Sequence, residues 1–262
     1  MSSVQAAMSG GLMRLFVLSV LWALSVTSNA ALPDLIEQIK PSIVVIGTYS
    51  KTRSPAFLMR GTGFIVGNGN LVATNAHVVP EILESDSGET LVVQSLSGPA
   101  GPDQRPAKTE VIDKSHDLIL LRIEGAPLPA MVIQTGKAVR EGQSVAFTGF
   151  PIGGVLGLSP VTHRGIISAI TPIALPGATA SQLNEKVIKR LKSGPFEVYQ
   201  LDGTAYPGNS GGPLFEMEKG EVIGIINMVF VKGTKESVLT QPSGISFAVP
   251  ALYLQELLRS LK

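Results

Sequence analysis

Short apolar stretches separated by turn residues run through most of this 262-residue chain. They are rich in Val, Ile and Thr and are bounded by Gly, Pro, Asn and Asp, which is typical of β-strands. The predicted strands are Ser42–Tyr49, Gly61–Val66, Leu71–Thr74, Thr90–Gln94, Leu118–Ile123, Ser144–Thr148, Thr162–Ala169, Phe196–Leu201, Glu221–Val231 and Gly244–Val249. Many short strands at this spacing predict an all-β barrel or sandwich.

Three segments have apolar residues at helical spacing and predict helices. They are Leu32–Ile39, Ser181–Ser193 and Pro250–Leu261. The stretch "SLSGPAGPDQRPAK" (95–108) is rich in turn residues and predicts a surface loop. The stretch "GAPLPAM" (125–131) predicts a connection between two sub-barrels, at about 38–125 and 135–250.

The first 30 residues differ in composition from the rest of the chain. They contain no acidic residue and one basic residue, Arg14, which precedes the apolar run Leu15–Val26 and small residues up to Ala30. This is typical of a secretory signal peptide cut after Ala30, so we expect a periplasmic or secreted mature chain of residues 31–262. Twelve apolar residues are too few for an ordinary membrane span. An uncleaved anchor and a start at a later methionine both remain open.

Composition excludes several classes of function. Removing the first 30 residues from a chain of 21 basic and 20 acidic side chains leaves 20 of each. A near-zero net charge argues against nucleic acid and anionic membranes as partners. The chain has no Cys, which excludes disulfides and thiol catalysis. We expect neither a cofactor nor a metal ion.

One glycine-rich stretch, "YPGNSGGPLF" (206–215), has two interpretations. Gly208–Gly212 fits G-x-S-x-G, the nucleophile elbow of α/β-hydrolases, and it also fits the serine turn of chymotrypsin-like proteases. The elbow requires a His after the serine, but His77, His116 and His163 all precede Ser210. The hydrolase interpretation therefore lacks its base. It also lacks the alternation of strands and long helices that the fold requires.

The order His…Asp…Ser is available instead. His77 lies in "LVATNAHVV", Asp117 begins "DLILLRI", and Ser210 lies in the glycine turn. A serine hydroxyl needs a base, and the base needs a third group to fix its tautomer. The chain resembles the chymotrypsin-like serine proteases, most closely the bacterial HtrA/Deg branch. The matching stretches are "GTGFIVGNGNLVATNAHVV" (61–79), "DLILLRI" (117–123), "GFPIG" (149–153), "RGIIS" (164–168), "LDGTAYPGNSGGPLF" (201–215), "VIGIIN" (222–227) and "GISFAVP" (244–250).

This resemblance implies a fold of two packed six-stranded antiparallel β-barrels with a C-terminal helix. It implies an endopeptidase that acts on unfolded or flexible polypeptides, with His77 as base, Asp117 as its orienting group and Ser210 as nucleophile. The turn Gly208–Asn209–Ser210 would form the oxyanion hole, through the N–H groups of Gly208 and Ser210. His116 and His163 lie outside these motifs and are expected to be structural.

The specificity pocket follows from the resemblance alone. Thr204 would form its floor, Gly244 and Ser246 its far wall, and Asn227, Met228 and Val229 would pair with substrate backbone. No Asp lies at the floor, so we expect a small or medium aliphatic residue before the cut rather than Lys or Arg.

Three departures from the wider family bear on control and assembly. Asn209 replaces the Asp that holds the new N-terminus of a cleaved zymogen, so we expect control through loops. The sequence stops at Lys262, so we expect no PDZ domain. The predicted helix Ser181–Ser193 is either a lid or docking element or a solvated surface helix.

An oligomer is compatible with the sequence, but nothing in it supports one. A binding or chaperone module with a silent site, and an esterase, remain rival functions.

Overall fold

The computed structural model describes residues 32–81, 88–98, 101–153, 157–172, 196–228 and 244–261. In these residues the strands close into two six-stranded antiparallel barrels. The strands of the first barrel are β1 Ile43–Tyr49, β2 Phe57–Val66, β3 Leu71–Asn75, β4 Thr90–Gly98, β5 Gly101–Asp113 and β6 Leu118–Ile123. The strands of the second are β7 Ser144–Gly149, β8 Val161–Pro172, β9 Glu197–Asp202, β10 Pro213–Glu216, β11 Val222–Ile226 and β12 Ile245–Pro250. The predicted all-β fold of two such barrels is confirmed.

Both faces of several strands are buried, which explains their unbroken apolar runs. In β1, Val44 and Ile46 face the interior of the first barrel, while Ile43 and Val45 face a larger core that the two barrels share. Phe64 of β2 and Phe215 of β10 both belong to that shared core, and both are fully buried. Strand β1 is therefore packed between two layers of apolar side chains.

Two helices cover the shared core, and both were predicted from the sequence. Helix α1 spans Leu32–Ile39 and α2 spans Ala251–Arg259. Leu35 of α1 and Leu254 of α2 are buried in the core. Each helix therefore packs on the shared core through the apolar stripe from which it was predicted.

The predicted loop at 95–108 is wrong, because most of it lies in the β4–β5 hairpin. Ser95 pairs with Asp103 and Val92 with Pro106 across this hairpin. The side chains of β5 are mostly polar and exposed, so its composition resembles that of a loop. Its backbone pairs on both sides, with β4 and β6, and this pairing supplies the strand's stability.

Three sequence predictions lie outside the described residues. They are the signal peptide at 1–30, the helix Ser181–Ser193 and the pocket residue Val229. Among the helices that the structure does describe, none is both long and apolar enough to cross a membrane. The described part of the chain also contains no cluster of three or more His, Asp or Glu side chains suited to a metal ion.

Candidate active site

His77 lies on a single 3-10 turn, Ala76–Val78, that follows the buried strand β3. The main chain of this turn is tied to Asp117: the N–H of Ala76 and the side-chain amide of Asn75 both donate to the Asp117 carbonyl, at 3.0 and 3.2 Å. The ends of β3 and β6 are thereby held together. The sequence separation of His77 and Asp117 is 40 residues, so the barrel rather than the local chain makes them neighbours.

The Asp117 carboxylate accepts three hydrogen bonds. Oδ1 accepts from the backbone N–H of His77 at 2.9 Å, and Oδ2 contacts His77 Nδ1 at 2.6 Å. Oδ2 also accepts from the side-chain amide of Asn227 at 2.7 Å. Because an ionised carboxylate only accepts, Nδ1 of a neutral His77 carries the hydrogen. The lone pair of Nε2 is then free to accept a proton.

Ser210 lies in a tight turn between β9 and β10. Its carbonyl accepts the N–H of Thr62 from β2 at 2.9 Å, and its hydroxyl oxygen accepts the N–H of Met228 at 3.4 Å. Gly61 lies between Ser210 and the His77 turn: a Cβ there would meet Val78 at 2.8 Å and the Ser210 carbonyl at 3.0 Å. The three predicted catalytic residues are thus brought to one junction between the barrels.

A hydrogen bond from Ser210 to His77 is not among the contacts within the described residues. In proteases without substrate this bond is often long and tightens only in the complex. The arrangement therefore has the His–Asp pair already formed and the serine beside it.

The turn before Ser210 has its carbonyl oxygens occupied. The Pro207 carbonyl accepts the N–H of Ile152 at 2.7 Å, and the Gly208 carbonyl accepts the Thr62 hydroxyl at 2.6 Å. In a trans peptide the N–H points opposite to the C=O, so the Gly208 N–H points away from Ile152. Within the described chain, the N–H groups of Gly208 and Ser210 have no acceptor. Two such free N–H groups can bind an anionic oxygen.

Only glycine fits at position 208. Its φ is +103°, and an added Cβ would lie 2.2 Å from the Phe150 carbonyl oxygen. Its neighbour Asn209 is fully buried, and neither atom of its amide has a hydrogen-bond partner in the part of the chain that the structure describes. Gly149 makes room for this amide, because a Cβ there would lie 2.7 Å from Asn209 Oδ1.

The predicted pocket residues fall into two groups. Ser246 is 1% exposed and brackets Thr204: its hydroxyl donates to the Gly203 carbonyl and accepts the Ala205 N–H, both at 2.7 Å. The Gly244 carbonyl accepts the Gly203 N–H at 3.0 Å. Ser246 therefore holds the backbone beside Thr204, and its place in the wall of the pocket stays a prediction.

The side chain of Asn227 makes a contact that the sequence did not predict. It is fully buried, its N–H donates to the Phe247 carbonyl at 2.9 Å, and its side chain donates to Asp117. Because the N–H of Asn227 already closes the sheet, its pairing with substrate backbone stays a prediction for the carbonyl group alone. The sequence offered no signal for the contact with Asp117, which spans 110 residues.

The two remaining histidines lie outside this junction. His116 Nδ1 contacts the Asp113 carboxylate at 2.6 Å. His163 stacks on Phe147 with ring centroids 4.8 Å apart, and burial lowers its pKa from the ordinary 6.5. Its Nε2 is buried and has no hydrogen-bond partner among the described residues.

Comparisons with known proteins identify the family of the chain. The model of the trypsin-like peptidase domain matches residues 61–225. Serine protease HTRA3 of Homo sapiens is 30% identical over 224 residues, which cover 83% of this chain and 42% of HTRA3. A probable periplasmic serine endoprotease DegP-like of Halomonas elongata is 32% identical over 192 residues, which cover 72% of this chain and 32% of the relative.

The crystal structure of Deg5 has a TM-score of 0.60 and 23% identity, and the match covers 86% of this chain and 90% of the Deg5 chain. That likeness concerns the fold alone. The chain spans about two fifths of the length of the curated relatives, 42% for HTRA3. Because the family model matches more than half of the chain and includes the turn with Ser210, the chain belongs to the trypsin-like peptidase family, as a homologue of the HtrA/Deg serine proteases.

Proposed function

We propose that this chain is an exported serine endopeptidase that hydrolyses peptide bonds of unfolded or flexible proteins through an acyl-enzyme. The observation that carries the proposal is the 2.6 Å contact between His77 Nδ1 and Asp117 Oδ2, with Ser210 on the adjoining turn. A base of fixed tautomer beside a serine is the arrangement that nucleophilic acyl transfer requires. The named relatives are serine proteases, in keeping with this chemistry.

In the first half-reaction, His77 Nε2 takes the proton of Ser210 Oγ as this oxygen attacks the scissile carbonyl carbon. The carbonyl π bond opens and its oxygen becomes an oxyanion, which the N–H groups of Gly208 and Ser210 receive. Removing one such donor typically costs about 3 kcal/mol of transition-state stabilisation. Asp117 keeps the imidazolium oriented and stabilises its charge.

The imidazolium then gives its proton to the leaving nitrogen, the C–N bond breaks and the acyl group remains on Ser210 Oγ. Water enters, loses a proton to His77 and attacks the ester carbon. Collapse of the second tetrahedral intermediate releases the acid and returns the proton to Ser210. The cycle consumes one water molecule per bond and needs neither metal nor cofactor.

The substrate lies in an extended conformation beside Met228 and Gly244, as an added strand. The side chain before the cut enters a pocket with Thr204 at its floor, and Ser246 fixes the height of that floor by holding Gly203 and Ala205. A neutral floor favours a small or medium aliphatic side chain. The Asn227 carbonyl and Val229 remain predicted contacts with substrate backbone.

Export is supported by the composition of residues 1–30 and by the periplasmic relative. Expression of the full chain in a Gram-negative host, followed by fractionation and N-terminal sequencing, tests it. We expect a periplasmic or secreted protein that begins at Ala31. A cytoplasmic protein with an intact Met1 would contradict export.

A fluorophosphonate probe tests the chemistry, because it reacts only with an activated serine. We expect the folded wild type to be labelled and to cut denatured casein, while Ser210→Ala and His77→Ala do neither. Ser144→Ala, on an exposed position at the start of β7, serves as the matched control and should behave as wild type. No labelling of the wild type would favour a silent-site binding module, and labelling with hydrolysis of acyl esters but not of casein would favour an esterase.

A further inference from the structure

His116 lies in the turn between β5 and β6, directly before Asp117. The Asp113 carboxylate closes this turn: Oδ1 accepts the N–H groups of Ser115 and His116, at 2.9 and 3.2 Å. Its other oxygen contacts His116 Nδ1 at 2.6 Å. Backbone and ring of His116 are therefore held by the same carboxylate.

The ring of His116 also packs on α2 and on the residue that directly precedes β9. It stacks on Tyr253 of α2 with ring centroids 3.8 Å apart and planes within 14°, and it meets Phe196 edge-on at 4.8 Å. The rings of Phe196 and Tyr253 also lie edge to face, with their centroids 5.6 Å apart. The turn that precedes Asp117 is thus fastened to α2 and to the start of β9.

Asp117 needs such support because its backbone is in the left-handed region, with φ at +57°. A residue other than glycine in that region costs on the order of 1 kcal/mol, and it stays there only if its surroundings hold it. On one side Leu118 begins the buried strand β6. On the other side the chain passes directly into His116.

We propose that His116 is a positioning residue for the catalytic Asp117, and that its stack with Tyr253 makes α2 part of the support of the triad. The inference deepens the proposed function and rests on it for the role of Asp117. The alternative is that the three rings only pack the gap between the β5–β6 turn and α2. The two differ in what happens to the His77–Asp117 hydrogen bond when the stack is removed.

The experiment compares wild type with His116→Ala, which removes the stack and the contact with Asp113. His116→Phe keeps the stack and loses the ring nitrogens. Lys114→Ala is the matched control, since Lys114 lies in the same turn with a side chain 62% exposed. Three quantities are measured on folded protein: the thermal midpoint, kcat and KM on a chromogenic peptide with the rate of fluorophosphonate labelling, and the low-field proton NMR signal of the His77 Nδ1–H.

We expect His116→Ala to lower kcat and the labelling rate about tenfold, which is about 1.4 kcal/mol, with KM unchanged. The low-field His77 signal should broaden or shift upfield. His116→Phe should recover activity to within about threefold of wild type, and Lys114→Ala should equal wild type in all three measurements. If His116→Ala does not fold, His116→Leu, which has no aromatic face, takes its place.

A lower thermal midpoint with unchanged labelling rate and unchanged His77 signal would overturn the proposal and leave His116 as packing. If the wild type neither labels nor cleaves, the proposed function fails. The NMR comparison would still decide whether His116 positions the Asp117 carboxylate against His77, so the two failures are distinguishable.

Discussion

Asn227 donates its side-chain amide to Asp117 Oδ2 over 2.7 Å, on the same oxygen that contacts His77 Nδ1 at 2.6 Å. Asp117 precedes the last strand of the first barrel and Asn227 follows β11 of the second. The contact therefore joins the two barrels at the carboxylate. Met228, the next residue along the chain, donates its N–H to Ser210 Oγ.

Replacing Asn227 by Ala should impair turnover more than binding. The loss of one hydrogen bond to a charged group costs about 1.5–3 kcal/mol, so we expect kcat to fall about tenfold to a hundredfold with a small change in KM. The measurement is steady-state cleavage of a peptide. The control is Asn70→Ala, whose amide donates to the carbonyls of Ile123 and Gly125 at the end of β3 opposite to His77, and which should affect stability alone. Equal kcat for wild type and Asn227→Ala would show that the amide does not orient Asp117.

Thr62 links the first barrel to the oxyanion turn. Its hydroxyl donates to the Gly208 carbonyl at 2.6 Å and accepts the Phe150 N–H at 3.0 Å. Thr62→Val keeps the shape of the side chain but leaves both hydrogen-bond partners unpaired. Each buried polar group left unpaired lowers the free energy of unfolding by about 1–3 kcal/mol. We expect a lower thermal midpoint together with slower fluorophosphonate labelling.

A second threonine separates these effects from the general cost of losing a hydroxyl. Thr90→Val changes an exposed side chain whose hydroxyl contacts the Tyr49 carbonyl at 3.4 Å, and both measurements should stay at wild-type values. If Thr62→Val lost stability but labelled at the wild-type rate, Thr62 would support the fold without shaping the turn.

Gly208→Ala should abolish turnover while most of the fold survives. The new Cβ would lie 2.2 Å from the Phe150 carbonyl oxygen, so the turn must shift and carry the Gly208 N–H with it. Gly136→Ala is the matched control: its φ is also positive, at +74°, and a Cβ there meets nothing within 4 Å. Both variants carry the left-handed penalty of about 1–2 kcal/mol. Only Gly208→Ala should lose labelling, by about a hundredfold or more. Similar labelling of the two variants would argue against an oxyanion hole at this turn.

The success of the strand predictions has a local cause. Strands such as Ile43–Tyr49 and Leu118–Ile123 are buried on both faces, so their sequences are continuous apolar runs between turn residues. Helix α2 has its apolar residues on one stripe, so its sequence also predicts its structure directly. The order of His77, Asp117 and Ser210 is also a local observation, because each lies in its own short motif.

The failures have a common cause in long-range contacts. Strand β5 has exposed polar side chains, and only its pairing with β4 and β6 shows that it is a strand. No motif showed that the side chain of Asn227 reaches a carboxylate 110 positions away. The bond from Thr62 to Gly208 spans 146 positions. A single sequence carries no pattern that links residues at such separations.

His163 gives the stability of this protein a pH dependence with a definite sign. Burial lowers its pKa in the folded state below the ordinary 6.5, so the unfolded chain takes up a proton first as the pH falls. The contribution of neutral His163 to the free energy of unfolding is complete above about pH 6.5, and it is lost as the pH falls from there through the pKa of the folded state. His163→Phe keeps the stack on Phe147 and removes the proton site. Urea unfolding at pH 9, 7.5, 6 and 5 should therefore show a smaller decline below pH 7.5 for the variant. From pH 9 to 7.5 both proteins should change equally, because the imidazole is neutral in both states. Parallel curves down to pH 5 would mean that folding does not shift the titration of His163.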